Sequence, residues 1–348
     1  MSKLSVLGVN NKLLDFLGMK DANKNGVIDA PSDNNYYQSE GFIAEADVNY
    51  DGRLVASEIK YYASVARYFA RNPITGSGYF DIRDEGLEEY ANLDDEEKKE
   101  LVSLFKKRIR KGFECYCEFN SFLDKIPPII NGVGKDAART IFSELVGSNG
   151  YVSLYSGKNE PLAQIVRKMA ETGLIDEAYK YSLRIGKGYW RVYAWEAIID
   201  VLINGKDEEK AGQLLLKSDE IVKQISDANA YLMIGRTFFK YHKMFSKPSF
   251  LQLAIDRCAA GLHRYLTTIK SVEKNRIEYE IDRMKEVGFK SEDIKEVLKA
   301  TEIKIKGCSE FLRVLNLLGY VPGLTYPIER PPAGGVIIVY PSSKGSNW

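Results

Sequence analysis

The side chains best suited to chemistry lie in one stretch of twelve residues, DVNYDGRLVASE. Oxygen-bearing side chains occupy its first, third, fifth and twelfth positions: Asp47, Asn49, Asp51 and Glu58. Calcium is a hard cation that takes six to eight oxygen ligands. The first, third and fifth side chains would each supply an oxygen, the backbone carbonyl of Arg53 another, and the Glu58 carboxylate two. Val55 at the ninth position leaves that place to a water. The spacing predicts a calcium site; the alternative is an Asx-rich turn before a helix.

This stretch, called loop two below, resembles the calcium-binding loop of the EF-hand family. Gly52 occupies the position of the sharp turn, and Leu54 is the apolar residue at the eighth position. Apolar residues then recur at helical spacing: Ile59, Tyr62, Ala63, Ala66 and Phe69. The resemblance implies a loop between two helices that binds Ca²⁺.

A second loop of the same kind, called loop one, begins 26 residues earlier, at position 21 against 47. Its candidate ligands are Asp21, Asn23, Asn25, the Val27 carbonyl and Asp29. Ser32 stands at the twelfth position, so the bidentate carboxylate is missing unless Asp33 replaces it. We therefore expect loop one to bind calcium more weakly than loop two.

Two such loops normally pair back to back, which would bring Ile28 and Leu54 together. Paired loops of this pattern also resemble those of calcium-stabilised extracellular modules, the dockerins among them. The pattern therefore leaves open whether calcium acts as a signal or as a permanent structural staple.

Composition excludes several classes of function. The chain has 348 residues, 49 Lys and Arg against 48 Asp and Glu, and a net charge of +1. With so little net charge, no global field attracts it to nucleic acid or to an anionic membrane. No run approaches the roughly 18 apolar residues of a membrane span, and the first residues lack a secretory pattern. We expect a cytoplasmic protein whose partner is a protein or peptide.

From about residue 161 to 306 the sequence is organised as helix, glycine, helix. Gly173, Gly205 and Gly288 each divide two segments with apolar residues at helical spacing. The interval of 32 residues between Gly173 and Gly205 is near the ~34-residue period of tetratricopeptide repeats, and the region resembles their architecture without their full signature. A plain helical bundle is the alternative.

The predicted fold is all-α, with an EF-hand-like calcium-binding pair followed by stacked antiparallel helical hairpins and a short irregular tail. The pair covers residues 1–72, a helical linker region 73–160, the tetratricopeptide-like repeats 161–320, and a Pro/Gly-rich tail 321–348. Stacked hairpins form long concave surfaces that bind peptides. The best-clustered candidate anchors for a partner are Trp190, Arg191, Tyr193 and Trp195, of which Trp195 is expected to be buried.

Catalytic motifs are missing from the sequence. It has two histidines, His242 and His263, both in helical patterns, and no G-x-S-x-G or H-E-x-x-H motif. The four cysteines are expected to be reduced structural thiols: Cys115, Cys117, Cys258 and Cys308. We predict a calcium-dependent or calcium-stabilised interaction module. The alternative is an enzyme with structural calcium and a carboxylate-based site using Asp81, Asp84 or Glu85.

Overall fold

The protein is all-α, as predicted. The computed structural model describes residues 8–30, 46–65, 86–127, 129–147, 159–268 and 274–304. The carboxylates of the enzyme alternative, the tail over 321–348 and Cys308 lie outside these ranges. Within them, no helix is both long and apolar enough to cross a membrane.

The N-terminal region contains two short helices joined through a two-stranded ribbon. Helix α1 (Asn11–Leu17) precedes loop one, and strands β1 (Ile28–Asp29) and β2 (Arg53–Leu54) pair before α2 (Ala56–Val65). The strands are antiparallel, with Ile28 opposite Leu54 and Asp29 opposite Arg53. Both Ile28 and Leu54 are buried in a small core with α1 and α2. The predicted contact between Ile28 and Leu54 is confirmed.

The next region is a group of helices that packs against α2. A 3₁₀ turn (Glu88–Ala91) is followed by α3 (Asp95–Lys111), α4 (Tyr116–Asp124), α5 (Ile129–Gly132) and α6 (Lys135–Gly147). Asp94 begins α3 with a capping box, in which its side chain accepts the N–H of Glu97 while Glu97 bonds back to the Asp94 N–H. The aromatic rings of Phe105 and Phe122 meet in the buried core between these helices.

Paired helices form the rest of the described chain: α7 (Asn159–Glu171), α8 (Ile175–Ser182), α9 (Tyr189–Asn204), α10 (Glu208–Gln224), α11 (Ala228–Phe245), α12 (Pro248–Thr268), α13 (Lys274–Val287) and α14 (Ser291–Lys304). Gly173 and Gly288 end α7 and α13 with positive φ angles of 71° and 101°, a backbone region that favours glycine. The predicted helix–glycine–helix order is confirmed at both positions and at Gly205.

The helical part shares one continuous apolar core. Its buried cluster extends from Val48, inside loop two, to Leu298 in α14. Side chains therefore make contacts across the predicted boundary between residues 160 and 161. One example is the ion pair between Lys168 in α7 and Asp124 in α4, at 2.8 Å. This packing connects loop two to the repeat region.

Candidate metal centre

The two loops share positive φ angles at their fourth and sixth positions. At the fourth position Lys24 and Tyr50 have φ angles of 58° and 56°, and at the sixth position Gly26 and Gly52 have φ angles of 88° and 79°. A non-glycine residue with positive φ is uncommon, so its recurrence at the same position shows that both loops make the same turn between their fourth and sixth positions.

The first carboxylate of each loop organises this turn by accepting backbone N–H groups. Asp47 accepts from Asp51 at 3.3 Å and from Gly52 at 2.9 Å. Asp21 accepts from Asn25 at 3.3 Å and from Gly26 at 3.1 Å. Local hydrogen bonds of this kind are what Asp and Asn side chains favour in turns, so the short-range sequence fixes the path of both loops.

The two ends of loop two are buried, whereas Asp51 in its middle is exposed, and Glu58 lies in a setting that disfavours its charge. Asp47 and Glu58 are fully buried and Asn49 is 4% exposed. The Glu58 carboxylate accepts the N–H groups of Val48 at 3.0 Å and Val55 at 3.2 Å. Burial, and after it repulsion from Asp47, raises the pKa of Glu58 to about 8, although these two N–H donors lower it. A cation at this place would remove that penalty.

A second observation points to the same place. The side-chain oxygen Oδ1 of Asn49 is buried and has no hydrogen-bond partner. Buried polar atoms are nearly always satisfied, and one that is not costs about 1–3 kcal/mol. A metal ion bound at the third position of the loop would use this oxygen. Loop two therefore offers oxygen atoms of the kind that a calcium ion binds.

Loop one has a different electrostatic state. The carboxylate of Asp29 accepts side-chain N–H groups from Asn23 at 2.9 Å and Asn25 at 2.8 Å, and pairs with Arg53 at 3.3 Å. These hydrogen bonds, with that of Asn23 the largest cause, hold the pKa of Asp29 below its usual value. Its charge is already compensated within the protein. Val27 donates its N–H to Asn25 at 2.9 Å, and Ser32 and Asp33 lie outside the described residues.

Loop two is fixed to the helices that follow it by contacts that the sequence did not reveal. The Lys125 ammonium donates to the backbone carbonyl of Asp47 at 2.6 Å and lies 4.2 Å from the centre of the Tyr50 ring. Arg108 lies 5.0 Å from the same ring centre, and the Tyr50 hydroxyl donates to Ser121 at 3.1 Å. Lys125 and Asp47 are 78 residues apart, so no local pattern could have predicted this contact.

The carboxylates of loop two do not by themselves form a metal site, and the rest of the described chain offers none either. No group of three or more His, Cys, Asp or Glu side chains there is arranged to hold a metal ion. The candidate centre therefore depends on the Asn49 amide oxygen and the Arg53 carbonyl as much as on carboxylates.

The four proposed partner anchors are largely used inside the fold. Trp195 is 4% exposed, as expected, and donates its indole N–H to Ser182 at 2.6 Å. The Arg191 guanidinium donates to the backbone carbonyls of Leu183 and Ile185, where α8 ends. Tyr193 lies under the guanidinium of Arg167, 4.2 Å from the ring centre. These contacts join α9 to α7 and to the end of α8, and they leave Trp190, half-buried, as the remaining candidate anchor.

The expectation of reduced thiols is wrong for two of the four cysteines. Cys115 and Cys117 form a disulfide, with their Cα atoms 5.5 Å apart. The chain turns at Cys115, the N-cap of α4, and this turn brings the two side chains together. Cys258 is a free, fully buried thiol, as predicted, and burial raises its pKa to about 12.

Comparison with protein-family models, with curated proteins and with solved structures finds no match to this chain.

Proposed function

We propose that the protein binds Ca²⁺ through loop two and uses its helical repeats as a scaffold for a protein or peptide partner. The observation that carries the calcium proposal is the buried, unpartnered Oδ1 of Asn49 beside the buried Glu58. Both are at loop positions whose side chains bind calcium in the EF-hand pattern.

The proposed ligands are the side chains of Asp47, Asn49, Asp51 and Glu58 and the backbone carbonyl of Arg53. When bound, calcium supplies positive charge to a group of acids that otherwise repel one another. Loop one is the weaker candidate. Its amides of Asn23 and Asn25 already satisfy Asp29, so a cation would have to displace these hydrogen bonds.

The attachment of loop two favours a calcium-stabilised protein over one that opens on binding. Lys125 and Tyr50 connect the loop to α3 and α4 through partly and fully buried contacts. Ordering of the loop by calcium would therefore stabilise the junction between the N-terminal region and the helical part. We retain the cytoplasm as the expected location.

The partner surface that we propose is a groove between α8, α9 and α10. It encloses about 190 Å³ and its apolar lining includes Ile175, Tyr179, Ile198 and Leu202. Lys210, Lys217 and Asp176 also line it, so its charged lining is basic by one residue and an acidic segment of a partner peptide fits it better than a basic one. We propose this groove in place of the cluster of Trp190, Arg191, Tyr193 and Trp195, because the last three make contacts between helices.

Calorimetric titration with Ca²⁺ tests the metal proposal on three variants. Asn49→Ala and Glu58→Gln should each weaken the tightest binding by at least tenfold. Asn23→Ala is the matched control, because it removes the same side chain from the third position of loop one, and it should leave that binding unchanged. If the isotherms of Asn49→Ala and Glu58→Gln equal that of the native protein, loop two is not the calcium site.

The scaffold proposal is tested by recovering bound proteins from source lysate with Ca²⁺ and with chelator. Lys217→Glu, which reverses a charge in the groove, should lose the bound protein. Lys299→Glu makes the same change on the exposed surface of α14 and should not. Recovery that is identical for both variants would exclude the groove.

A further inference from the structure

The bridge between Cys115 and Cys117 has no part in the calcium proposal. One residue, Tyr116, separates the two cysteines, and both are exposed at the start of α4. The free thiol described in the structure, Cys258, is fully buried in the contact between α11 and α12. Within the described chain, cysteine chemistry at the surface is therefore confined to this bridge.

A structural role for the bridge is weak on physical grounds. A disulfide stabilises a fold mainly by restricting the unfolded chain, and this effect is smallest for a very short loop. The turn is also held by other interactions. Glu114 donates its N–H to Glu118 at 2.7 Å, Phe119 donates its N–H to the Cys115 carbonyl at 3.2 Å, and the Phe113 and Phe119 rings meet edge to face at 5.3 Å. The start of α4 has contacts that do not require the bridge.

We propose that the Cys115–Cys117 disulfide is a thiol–disulfide exchange site that is reversibly reduced by dithiols. Exposed disulfides have higher reduction potentials than structural ones and are the labile, regulatory or catalytic bridges. In a reducing compartment, persistent disulfides are rare and those that form are transient and reactive. The proposal is independent of calcium binding.

The two sulfur atoms are not equivalent. Cys115 is the N-cap of α4, and its sulfur accepts the N–H of Glu118 at 3.3 Å. A thiolate on this sulfur is stabilised by that donor and by the positive end of the helix dipole. The nearby Glu118 carboxylate is paired with Arg108, which limits its repulsion, and Glu114 is exposed to solvent. Cys115 is therefore the better leaving group.

The exchange then has a defined order. One thiolate of the dithiol attacks Sγ of Cys117, the S–S bond breaks, and its electron pair leaves on Sγ of Cys115, which takes up a proton. The second thiol of the dithiol attacks the mixed disulfide and forms the cyclic disulfide of the reductant. Cys117 leaves as a thiolate and is protonated. Two electrons and two protons pass from the dithiol to the protein.

Reduction of the native chain by dithiothreitol, without denaturant, is the first test. The variant Cys308→Ser is used so that this cysteine adds no signal, and free thiols are counted by maleimide mass shift. We expect no labelled thiol before reduction and two after it, with unchanged helical circular dichroism. When the reduced chain is treated with oxidised glutathione before labelling, neither thiol should be labelled. Cys258 should label only in denaturant. A bridge that survives dithiothreitol until the chain is unfolded would overturn the proposal, as would two free thiols that oxidised glutathione never joins.

The order of attack is tested by brief exposure to reduced glutathione followed by iodoacetamide and peptide mapping. Glutathione should be found on Cys117 and the alkyl group on Cys115, at a ratio of at least five to one over the reverse. The reverse ratio would show that Cys115 is the sulfur attacked. Both experiments are repeated with chelator, and the same results are expected, so they do not depend on the calcium site.

Discussion

Glu58 should make both stability and calcium binding depend strongly on pH. Its pKa is raised from an ordinary value of 4.5 to about 8 in the folded, metal-free protein. The folded state therefore holds a proton that the unfolded state releases between these two values. Since the unfolded state binds fewer protons in that range, the free energy of unfolding falls as pH rises from about 4.5 to about 8. At about 1.4 kcal/mol per pH unit, the loss is on the order of 5 kcal/mol.

Calcium binding should then release protons. At pH 7 a group with a pKa of about 8 is about nine-tenths protonated, and a bidentate carboxylate ligand must be ionised. Binding should release about 0.9 proton at pH 7 and about 0.1 at pH 9, and the affinity should rise over the same range. Calorimetric titration in buffers of different ionisation heat measures this number directly.

Two variants separate Glu58 from the other titrating groups. Glu58→Gln should abolish both the proton release and the fall in metal-free stability. Glu96→Gln removes a carboxylate that is 84% exposed on α3 and should change neither. Release of fewer than about 0.2 protons per calcium by the native protein at pH 7 would refute the reasoning. So would a fall in the free energy of unfolding between pH 5 and pH 8 that is the same in the native protein and in Glu58→Gln.

Three further predictions concern packing. Gly235→Ala should destabilise the protein by about 1–3 kcal/mol, measured by denaturant unfolding. The added Cβ would lie 2.5 Å from Sγ and 2.9 Å from the backbone N of Cys258 in α12. Gly147→Ala, with open space around it, is the control and should change stability by less than about 0.5 kcal/mol. Residues 159–304 alone should be helical by circular dichroism. Residues 95–304 should melt at a higher temperature, because the apolar core continues from the helices before residue 159 into those after it. Equal melting temperatures would contradict this. Lys125→Met should cost about 1–3 kcal/mol by leaving a buried carbonyl of loop two without its donor, and an unchanged unfolding midpoint would refute that role.

The sequence by itself determined the local parts of this protein. The turns of both loops follow from Asp and Asn side chains that bond to N–H groups two to five residues away, so their shared conformation could be predicted from spacing. The helix–glycine–helix order follows from apolar periodicity and from the positive φ that Gly173 and Gly288 provide. The pairing of Ile28 with Leu54 followed from the repeat of one motif.

The tertiary structure decided what these parts can do. Burial leaves Asn49 Oδ1 without a hydrogen-bond partner and raises the pKa of Glu58. This burial depends on the segments that pack over loop two. Arg191 is of a residue type common among binding anchors, but its guanidinium donates to a backbone carbonyl at the end of α8. The sequence does not show which of these two roles it has. Lys125 reaches Asp47 across 78 residues. Local hydrogen bonds are set by residues close in sequence, whereas burial and charge at a site are set by residues that only the folded chain brings together.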